Sequence, residues 1–299
     1  MSGAPVRVDD AWLRAHPLPM PRPDDDKEGR GRVLVVAGSV EMPGAALLSA
    51  IGALRAGAGK LSIATASSVA AGVAIAMPEA RVVGWPETPS GGPAAHAAHA
   101  LQALAARADA VVVGPGMLDD AAVAAFVEAL VPGLGDGTVL VLDAAALAAL
   151  PRLAAAPARR RTILATPHAG EAAKLLGAER ETIAADPHAA ALEAARRFGA
   201  TVAVKGARTA IAAPDGRAWL HEGGHVGLAT SGSGDVLAGV VGGLAARGAP
   251  PERALAWGVA LHARAGLRLA ARLGPLGALA REIPDEIPGL VDDEGRLAG

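Results

Sequence analysis

The chain has 299 residues, a formal net charge of −2, two Phe, no Tyr and no Cys. The lack of cysteine excludes disulfides, thiolate catalysis and cysteine-based zinc sites, and the near-neutral charge with few aromatic residues argues against a nucleic-acid partner. Apolar residues make up 52% of the chain, but no run is long enough to span a membrane and no secretory signal is visible, so we expect a cytoplasmic protein with no membrane contact.

The predicted elements begin after a charged, proline-rich extension. Residues 1–31 include the run Asp24-Asp25-Asp26-Lys27-Glu28, and we expect them to be partly ordered, with a docked helix near Trp12 and Leu13. Residues 32–299 show no internal linker or repeat and are predicted to form a single domain.

Within this domain, short β-branched runs alternate with alanine-rich helical stretches. Strands are predicted at Val33–Ala37, Leu61–Thr65, Arg81–Val83, Ala110–Val113, Val139–Leu142, Thr162–Ala165, Val202–Val204, Thr209–Ala212 and Ala218–Leu220. Helices are predicted at Gly44–Ala56, Pro93–Ala106, Asp119–Val131, Gly170–Leu176, Pro187–Phe198, Gly234–Ala246 and Pro251–Leu273. The continuous apolar strands indicate an α/β fold with a mostly parallel central sheet and helices on both faces, and Pro214-Asp215-Gly216 predicts a hairpin turn near the end.

The strongest chemical signal is a glycine-rich turn before an apolar helix. Gly232, Ser233 and Gly234 precede Asp235, and the run Val236–Ala246 follows. Unpaired N–H groups and the helix dipole suit such a turn to a phosphoryl group. A carboxylate repels phosphate, so Asp235 is predicted to be a base that takes the proton of a hydroxyl about to be phosphorylated. The alternative is an Asp N-cap on a packed helix.

Further motifs follow predicted strands, whose carboxyl ends meet at one crevice of an open α/β sheet. These segments are Val33–Ser39, Gly44-Ala45-Ala46, Leu54–Gly59, Gly114-Pro115-Gly116, Val141-Leu142-Asp143-Ala144, Thr166-Pro167-His168-Ala169-Gly170-Glu171 and Lys205-Gly206-Ala207-Arg208-Thr209. In this order and spacing, together with the glycine-rich turn, they resemble the ADP/ATP-dependent NAD(P)H-hydrate dehydratase family of the ribokinase-like superfamily. The resemblance runs from about Lys27 to about Pro288.

The resemblance implies a ribokinase-like dehydratase domain with two groups of binding residues. It implies that Ala45, Gly116, His168 and Asp235 contact the hydrate substrate, and that Lys205, Gly206, Ala207, Arg208, Thr209 and Gly234 bind the adenosine nucleotide. Asp235 would be the base, and the N–H groups of Gly232, Ser233 and Gly234 would hold the transferring phosphoryl. Plainer alternatives are helix packing at Ala45, a strand-ending turn at Gly116, a surface histidine at His168 and a basic hairpin turn at Lys205.

The resemblance also implies Mg²⁺, held through water by Glu171 and Asp143. The alternatives are a first-turn Glu favoured by the helix dipole and an Asp that caps the following helix. The chain departs from the family pattern at three places that bear on the site. Asp143-Ala144-Ala145 stands for the usual Asp-Ala-Asp, His225 for a common Asn, and Met42-Pro43 for an aromatic residue.

The implied activity is repair of a damaged nicotinamide cofactor. ADP, or ATP, would drive dehydration of (6S)-NADH or (6S)-NADPH hydrate through a phosphorylated intermediate, with release of phosphate and AMP. Action on one epimer implies a separate NAD(P)H-hydrate epimerase as functional partner, and the family resemblance implies a homotetramer. Two alternatives stay open: an ATP-dependent ribokinase-like kinase for a vitamin precursor or sugar, and a non-catalytic nucleotide-binding relic, to which Ala145 and His225 point and Asp235 does not.

Overall fold

A computed structural model describes residues 4–21, 27–94, 96–156, 161–292 and 295–298. Its strands are β1 (Val6–Arg7), β2 (Arg32–Val36), β3 (Lys60–Ala66), β4 (Ala80–Trp85), β5 (Ala110–Val113), β6 (Val139–Leu142), β7 (Thr162–Ala165), β8 (Thr201–Val204), β9 (Arg208–Ala212) and β10 (Ala218–Glu222). Its helices are α1 (Asp10–Ala15), α2 (Gly44–Arg55), α3 (Ala70–Ala76), α4 (Ala97–Ala105), α5 (Asp120–Leu130), α6 (Leu150–Ala154), α7 (Ala169–Leu176), α8 (Arg180–Ala185), α9 (Pro187–Phe198), α10 (Ser233–Ala246), α11 (Pro251–Leu273) and α12 (Ile283–Glu286).

All ten strands belong to one sheet, in the order β1-β10-β9-β8-β7-β6-β5-β2-β3-β4. Neighbouring strands from β4 to β8 are parallel, and β9 runs antiparallel to both β8 and β10. The predicted mostly parallel sheet and the hairpin around Pro214-Asp215-Gly216 are therefore confirmed. After β4 the chain returns to the other side of β2, so the order reverses between β2 and β5, the place where open α/β sheets bind ligands.

The sheet is covered on both faces, as the continuous apolar strands predict. Along β2, Val33 and Val35 pack in one apolar cluster with α2, α10 and α11, and Leu34 and Val36 pack in a second with α4, α5 and α9. Because the side chains of a strand alternate between faces, both faces of a doubly covered strand must be apolar.

The central helix pair α2 and α10 packs backbone to backbone. A Cβ added at Gly52 would lie 2.7 Å from the carbonyl oxygen of Val236, and one added at Gly239 would overlap the carbonyl oxygen of Ser49. The hydroxyl of Ser49 donates to the backbone oxygen of Asp235 over 2.8 Å. The high Ala and Gly content thus serves close helix contact, and across the described residues no helix is both long and apolar enough to cross a membrane.

The N-terminal part contributes a strand and a helix to this core. The predicted docked helix is α1, with Trp12 and Leu13 buried, and the indole N–H of Trp257 donates to the backbone oxygen of His16 over 2.7 Å. Strand β1, which pairs with β10, was not predicted. The three consecutive aspartates at residues 24–26 lie outside the described residues, so the structure does not test the prediction of partial order there.

The predicted helices differ from the structure in two ways. The helix predicted at Pro93–Ala106 begins only at Ala97, because Pro93 forms an antiparallel bridge with Glu87 that closes a glycine-containing turn. The short helices α3, α6, α8 and α12 were not predicted, since each spans too few residues to show a helical period.

Candidate active site

The glycine-rich turn forms the open N-terminus of α10. Gly232 is the N-cap residue with φ of +87°, and no side chain caps the helix. Asp235 lies inside the first turn, which excludes the interpretation of this residue as an N-cap. The N–H of Ser233 donates to the backbone oxygen of Thr230 over 3.2 Å, whereas those of Gly232, Gly234 and Asp235 have no acceptor among the described residues. The turn therefore offers free N–H donors to a ligand, although the N–H of Ser233 is already engaged.

Asp143, at the end of β6, is a buried carboxylate with two strong partners. Its side chain is 3% exposed, and Oδ1 accepts from the ammonium of Lys205 over 2.7 Å and from the hydroxyl of Thr166 over 2.8 Å. These bonds offset the cost of burying the charge. Its side chain makes no capping bond to the short 3₁₀ helix Ala144–Ala149 that follows, so the capping alternative is wrong.

Lys205 brings this ion pair to the glycine-rich turn. A Cβ added at Gly234 would lie 3.4 Å from Nζ of Lys205 and 3.8 Å from Oδ2 of Asp143. The backbone N–H of Lys205 also donates to the oxygen of Pro167 over 2.8 Å, and His168 forms a parallel bridge with Lys205. Three motifs that are distant in sequence therefore meet at the carboxyl ends of β6, β7 and β8.

The charges at this meeting point shift one another's ionisation. Burial, helped by the nearby Asp143 carboxylate and opposed by Lys205, raises the pKa of Asp235 from 3.8 to about 7. Burial also raises the pKa of Glu171, again against the pull of Lys205. Burial acts to lower the pKa of Lys205, but attraction to Asp143 and Glu171 outweighs it and the pKa rises. Lys205 is therefore a fixed cation, and Asp235 is poised to exchange a proton near neutral pH.

His168 and Glu171 form a capping box at the start of α7. Nδ1 of His168 accepts from the N–H groups of Gly170 and Glu171, and Oε2 of Glu171 accepts from the N–H of His168 over 2.7 Å. Glu171 therefore lies in the first turn of α7, which agrees with the alternative interpretation of it as a first-turn Glu favoured by the helix dipole. The side chain of His168 is 61% exposed. The remaining edges of the two side chains face each other, with Nε2 of His168 3.5 Å from Oε1 of Glu171.

No metal site is built from protein ligands in the described part of the chain, where no group of three or more His, Asp or Glu residues is arranged to hold an ion. Oδ1 of Asp143 is occupied by Lys205 and Thr166, and Oε2 of Glu171 by the start of α7. Ala145 is partly buried and packs against the second apolar cluster. A metal ion could therefore be held only through water, by the remaining oxygens, Oδ2 of Asp143 and Oε1 of Glu171.

Ala45 and Gly116 meet at the switch point of the sheet. Gly116 has φ of +63°, and a Cβ added there would overlap the methyl group of Ala45. The N–H of Gly38, just after β2, donates to the backbone oxygen of Pro115 over 2.8 Å, which fixes the turn after β5. Helix α2 links this pair to the glycine-rich turn, because a Cβ at Gly232 would lie 2.5 Å from Cδ1 of Leu48.

The hairpin turn between β8 and β9 presents three exposed residues, Gly206, Ala207 and Arg208. Thr209 is buried, and its hydroxyl lies 3.3 Å from the backbone oxygen of Gly206 and 3.4 Å from its nitrogen. The side chain of Thr209 therefore stabilises the turn through its contact with the backbone of Gly206. His225 begins the 3₁₀ helix Val226–Leu228, where its Nδ1 accepts from the N–H of Gly227 over 3.0 Å.

One residue of this region gave no signal in the sequence analysis. His262, in α11, lies beneath the glycine-rich turn, and its Nε2 is 3.0 Å from both the backbone oxygen and the hydroxyl of Ser233. Burial lowers its pKa to about 4, so the ring is neutral at ordinary pH. Its place on the buried face of an amphipathic helix is the only feature that could have pointed to it.

The sheet order and the antiparallel hairpin at one side define an α/β protein with a ribokinase-like fold, in which an open helix N-terminus lies beside a carboxylate. Residues 33–289 match the family model described as NAD(P)H-hydrate dehydratase. The chain belongs to this family, as the sequence motifs predict.

Individual relatives agree with the family match. The ADP-dependent (S)-NAD(P)H-hydrate dehydratase of Xanthomonas campestris pv. campestris is 50% identical over 295 residues, which cover 98% of each chain. A bifunctional NAD(P)H-hydrate repair enzyme of Moorella thermoacetica is 38% identical over 283 residues, covering 93% of this chain and 52% of that protein. The crystal structure of the ADP/ATP-dependent NAD(P)H-hydrate dehydratase from Bacillus subtilis, co-crystallised with ATP and Mg²⁺, matches with a TM-score of 0.77 at 29% identity, covering 96% of this chain and 98% of that one.

Proposed function

We propose that this protein is an ADP-dependent NAD(P)H-hydrate dehydratase, which converts (6S)-NADH or (6S)-NADPH hydrate to the intact cofactor and releases AMP and phosphate. The observation that carries the proposal is Asp235, whose pKa is raised to about 7 at an open helix N-terminus. A base of this strength can accept a proton near neutral pH.

In the first step, the Asp235 carboxylate takes the proton of the ring hydroxyl while the hydroxyl oxygen attacks the β-phosphorus of ADP. A new O–P bond forms, and the bond from this phosphorus to AMP breaks. The free N–H groups of Gly232 and Gly234 and the ammonium of Lys205 are arranged to stabilise the charge on the transferring phosphoryl.

In the second step, phosphate leaves with the electron pair of the ring C–O bond, and the neighbouring ring carbon loses a proton. The double bond is restored. The elements of the water that had added across it leave as the oxygen carried away on phosphate and as two protons, one from the hydroxyl and one from the ring carbon. Phosphate is a far better leaving group than hydroxide, which is why the reaction consumes a nucleotide.

The two substrates approach the glycine-rich turn from opposite sides in this proposal. Ala45, Gly116 and the exposed imidazole of His168 contact the hydrate, and the segment Lys205–Thr209 with Gly234 contacts the nucleotide. The contact between Ala45 and Gly116 and the place of Lys205 beside Gly234 support this division. Thr209 then acts through the shape of the turn, because its own hydroxyl faces Gly206.

Mg²⁺ belongs to the proposal as an ion that arrives with the nucleotide. When bound, it neutralises phosphate charge. The free oxygens of Asp143 and Glu171 would hold it through water, since neither carboxylate is left fully open for direct coordination.

The cellular setting completes the proposal. We place the protein in the cytoplasm as a homotetramer, with a separate NAD(P)H-hydrate epimerase as functional partner. The bifunctional name of the Moorella thermoacetica relative, of which the chain matches about half, supports a coupled repair activity. Light scattering of the purified protein tests the oligomeric state.

The decisive experiment is recovery of absorbance in the NADH band from purified NADH hydrate, with ADP and ATP compared. We expect recovery with ADP, accompanied by equal amounts of AMP and free phosphate, and recovery about 10²–10⁴-fold slower with the Asp235→Asn variant. A stable phosphorylated product would instead indicate a kinase. Nucleotide binding without any turnover would indicate a non-catalytic protein.

A further inference from the structure

The partly buried contact between His262 and Ser233 determines which ring nitrogen carries the proton. Nε2 lies 3.0 Å from the backbone oxygen of Ser233. A carbonyl oxygen has no hydrogen to give, so this contact is a hydrogen bond only if Nε2 carries the N–H. His262 is therefore the donor, and the hydroxyl of Ser233, at the same distance from Nε2, lies beside this N–H.

This bond reinforces the orientation of one particular peptide group at the start of α10. The backbone oxygen of Ser233 and the N–H of Gly234 belong to the same planar peptide, and in a trans peptide they point in opposite directions. There are no cis peptide bonds among the described residues. When His262 holds the oxygen towards the protein interior, the N–H of Gly234 points outwards, on the side of the ligand.

We propose that His262 is a positioning residue for phosphoryl transfer, which aims the N–H of Gly234 by holding the carbonyl oxygen of the same peptide. The inference rests on the proposed function for the identity of the phosphoryl donor. Gly234 lies beside Lys205 and Asp143, so a rotation of this peptide would misdirect a donor at the centre of the charged cluster.

Ser233 is the first residue of α10, so its carbonyl oxygen also accepts a hydrogen bond within the helix, from the N–H four residues further on. Glycines have the freest backbone of any residue, and Ser233 stands between two of them, so this end of the helix benefits from a further restraint. The hydrogen bond from the Ser233 N–H to Thr230 restrains the peptide before Ser233, and His262 adds a second donor to the oxygen of the peptide after it. A neutral ring is suited to the task, because a charged imidazolium beneath the turn would add a second cation close to Lys205, whose charge already acts to lower the pKa of His262.

The test compares three variants of the whole protein. His262→Leu removes the donor and keeps an apolar side chain, whereas His262→Gln restores an N–H at a similar reach. His221→Leu is the matched control, because His221 is a buried histidine that also contacts a backbone oxygen, that of Val8 at 3.0 Å, which belongs to the N-terminal segment and not to the turn. Steady-state kinetics with NADH hydrate and ADP, and calorimetric ADP binding without hydrate, are measured at temperatures where each variant is folded.

We expect His262→Leu to lower kcat/KM for ADP about 10- to 100-fold, less than outright loss of a transition-state donor, with the KM for hydrate unchanged. Calorimetry should show weaker ADP binding, and His262→Gln should recover most of both losses. His221→Leu should lower the melting temperature without changing the kinetics. If the leucine variant does not fold, His262→Asn, whose amide is too short to reach Ser233, replaces it.

Two results would overturn the inference: unchanged ADP kinetics and affinity in folded His262→Leu, or a glutamine variant as impaired as the leucine variant. The binding measurement separates this inference from the proposed function. If the natural protein binds ADP but does not restore NADH, the function fails, and the ADP affinities of the variants still decide the role of His262.

Discussion

Lys205 and Gly234 are close neighbours, although they stand on different elements. A Cβ at Gly234 would lie 3.4 Å from Nζ of Lys205, an ordinary van der Waals distance. Position 234 therefore has room for one methyl group without a rearrangement of the protein. That methyl group would occupy the space between the cation and the free N–H groups, where the proposal puts the phosphoryl.

Gly234→Ala should fold normally and lose catalysis. We expect kcat/KM for ADP to fall about 100-fold, as when a transition-state donor is blocked, with little change in melting temperature. Gly232→Ala is the contrasting variant: its residue has φ of +87° and its Cβ would lie 2.5 Å from Leu48, so stability should fall as well. Calorimetry and thermal unfolding of both variants check this, and wild-type ADP affinity in Gly234→Ala would contradict the placement of the phosphoryl.

The pH dependence of the rate should report Asp235. Because only the ionised carboxylate can accept a proton and its pKa is about 7, kcat/KM for the hydrate should rise with pH and level off above this value. Well below pH 7 the rate should fall about tenfold per pH unit. Asp235→Asn should lower the rate about 10²–10⁴-fold and abolish this dependence. A profile that stays flat between pH 5 and 8 in the natural protein would exclude Asp235 as the base.

The same carboxylate should limit stability at high pH. The pKa of Asp235 is raised from 3.8 to about 7 in the folded protein, so the folded state binds the proton more tightly than the unfolded chain. The wild type therefore loses stability as pH rises from about 4 to about 7, and the asparagine variant, which cannot ionise, does not. We expect Asp235→Asn to have the higher melting temperature at pH 8 and a smaller advantage at pH 5. The reverse order would mean that the ionised carboxylate is well stabilised by its surroundings.

Removing one partner of the Lys205–Asp143 pair should lower the free energy of unfolding more than replacing both partners by uncharged residues. The side chains are 19% and 3% exposed, and removing one partner of a buried pair typically costs about 3–5 kcal/mol, because the other charge is left uncompensated. Lys205→Met should destabilise strongly, and Lys205→Met with Asp143→Asn should recover much of the loss in the free energy of unfolding. Urea denaturation of both single variants and the double variant measures the coupling. Additive losses would show that the two groups do not stabilise each other.

His168 combines two roles that substitutions can separate. Its Nδ1 caps α7, so His168→Ala should cost about 1 kcal/mol of stability as well as raise the KM for the hydrate. Asparagine also caps helices, so His168→Asn should keep the stability and still raise the hydrate KM. Nucleotide affinity should be unchanged in both. If the asparagine variant has a normal hydrate KM, His168 serves the helix and not the substrate.

The sequence was sufficient to predict nine of the ten strands of the described residues, because most are β-branched or apolar runs between turn residues. Strand β5, for example, was predicted with its exact bounds at Ala110–Val113. Strand β1 was not predicted, since its two residues are exposed and only its pairing with β10 makes it a strand. Short helices were missed for a related reason, because packing rather than periodicity defines them.

The candidate site was predictable where a motif and a strand end coincide. Asp143 and Lys205 were identified in this way, the glycine-rich turn was identified as the start of an apolar helix, and the structure brings the three together. The partners of these residues were not predictable. The hydrogen bond from Thr166 to Asp143 and the one from His262 to Ser233 join residues on different elements, and no local pattern records either of them.

The contact between α2 and α10 also bears on how such a protein can change during evolution. Ser49 donates to the backbone of Asp235, and glycines leave no side chain between the helices that could adjust to a larger neighbour. A substitution that enlarges this face would displace the base, however far it lies from the substrate. New substrate preferences are therefore more accessible in the loop before α2, where Val40 and Met42 are 49% and 43% exposed.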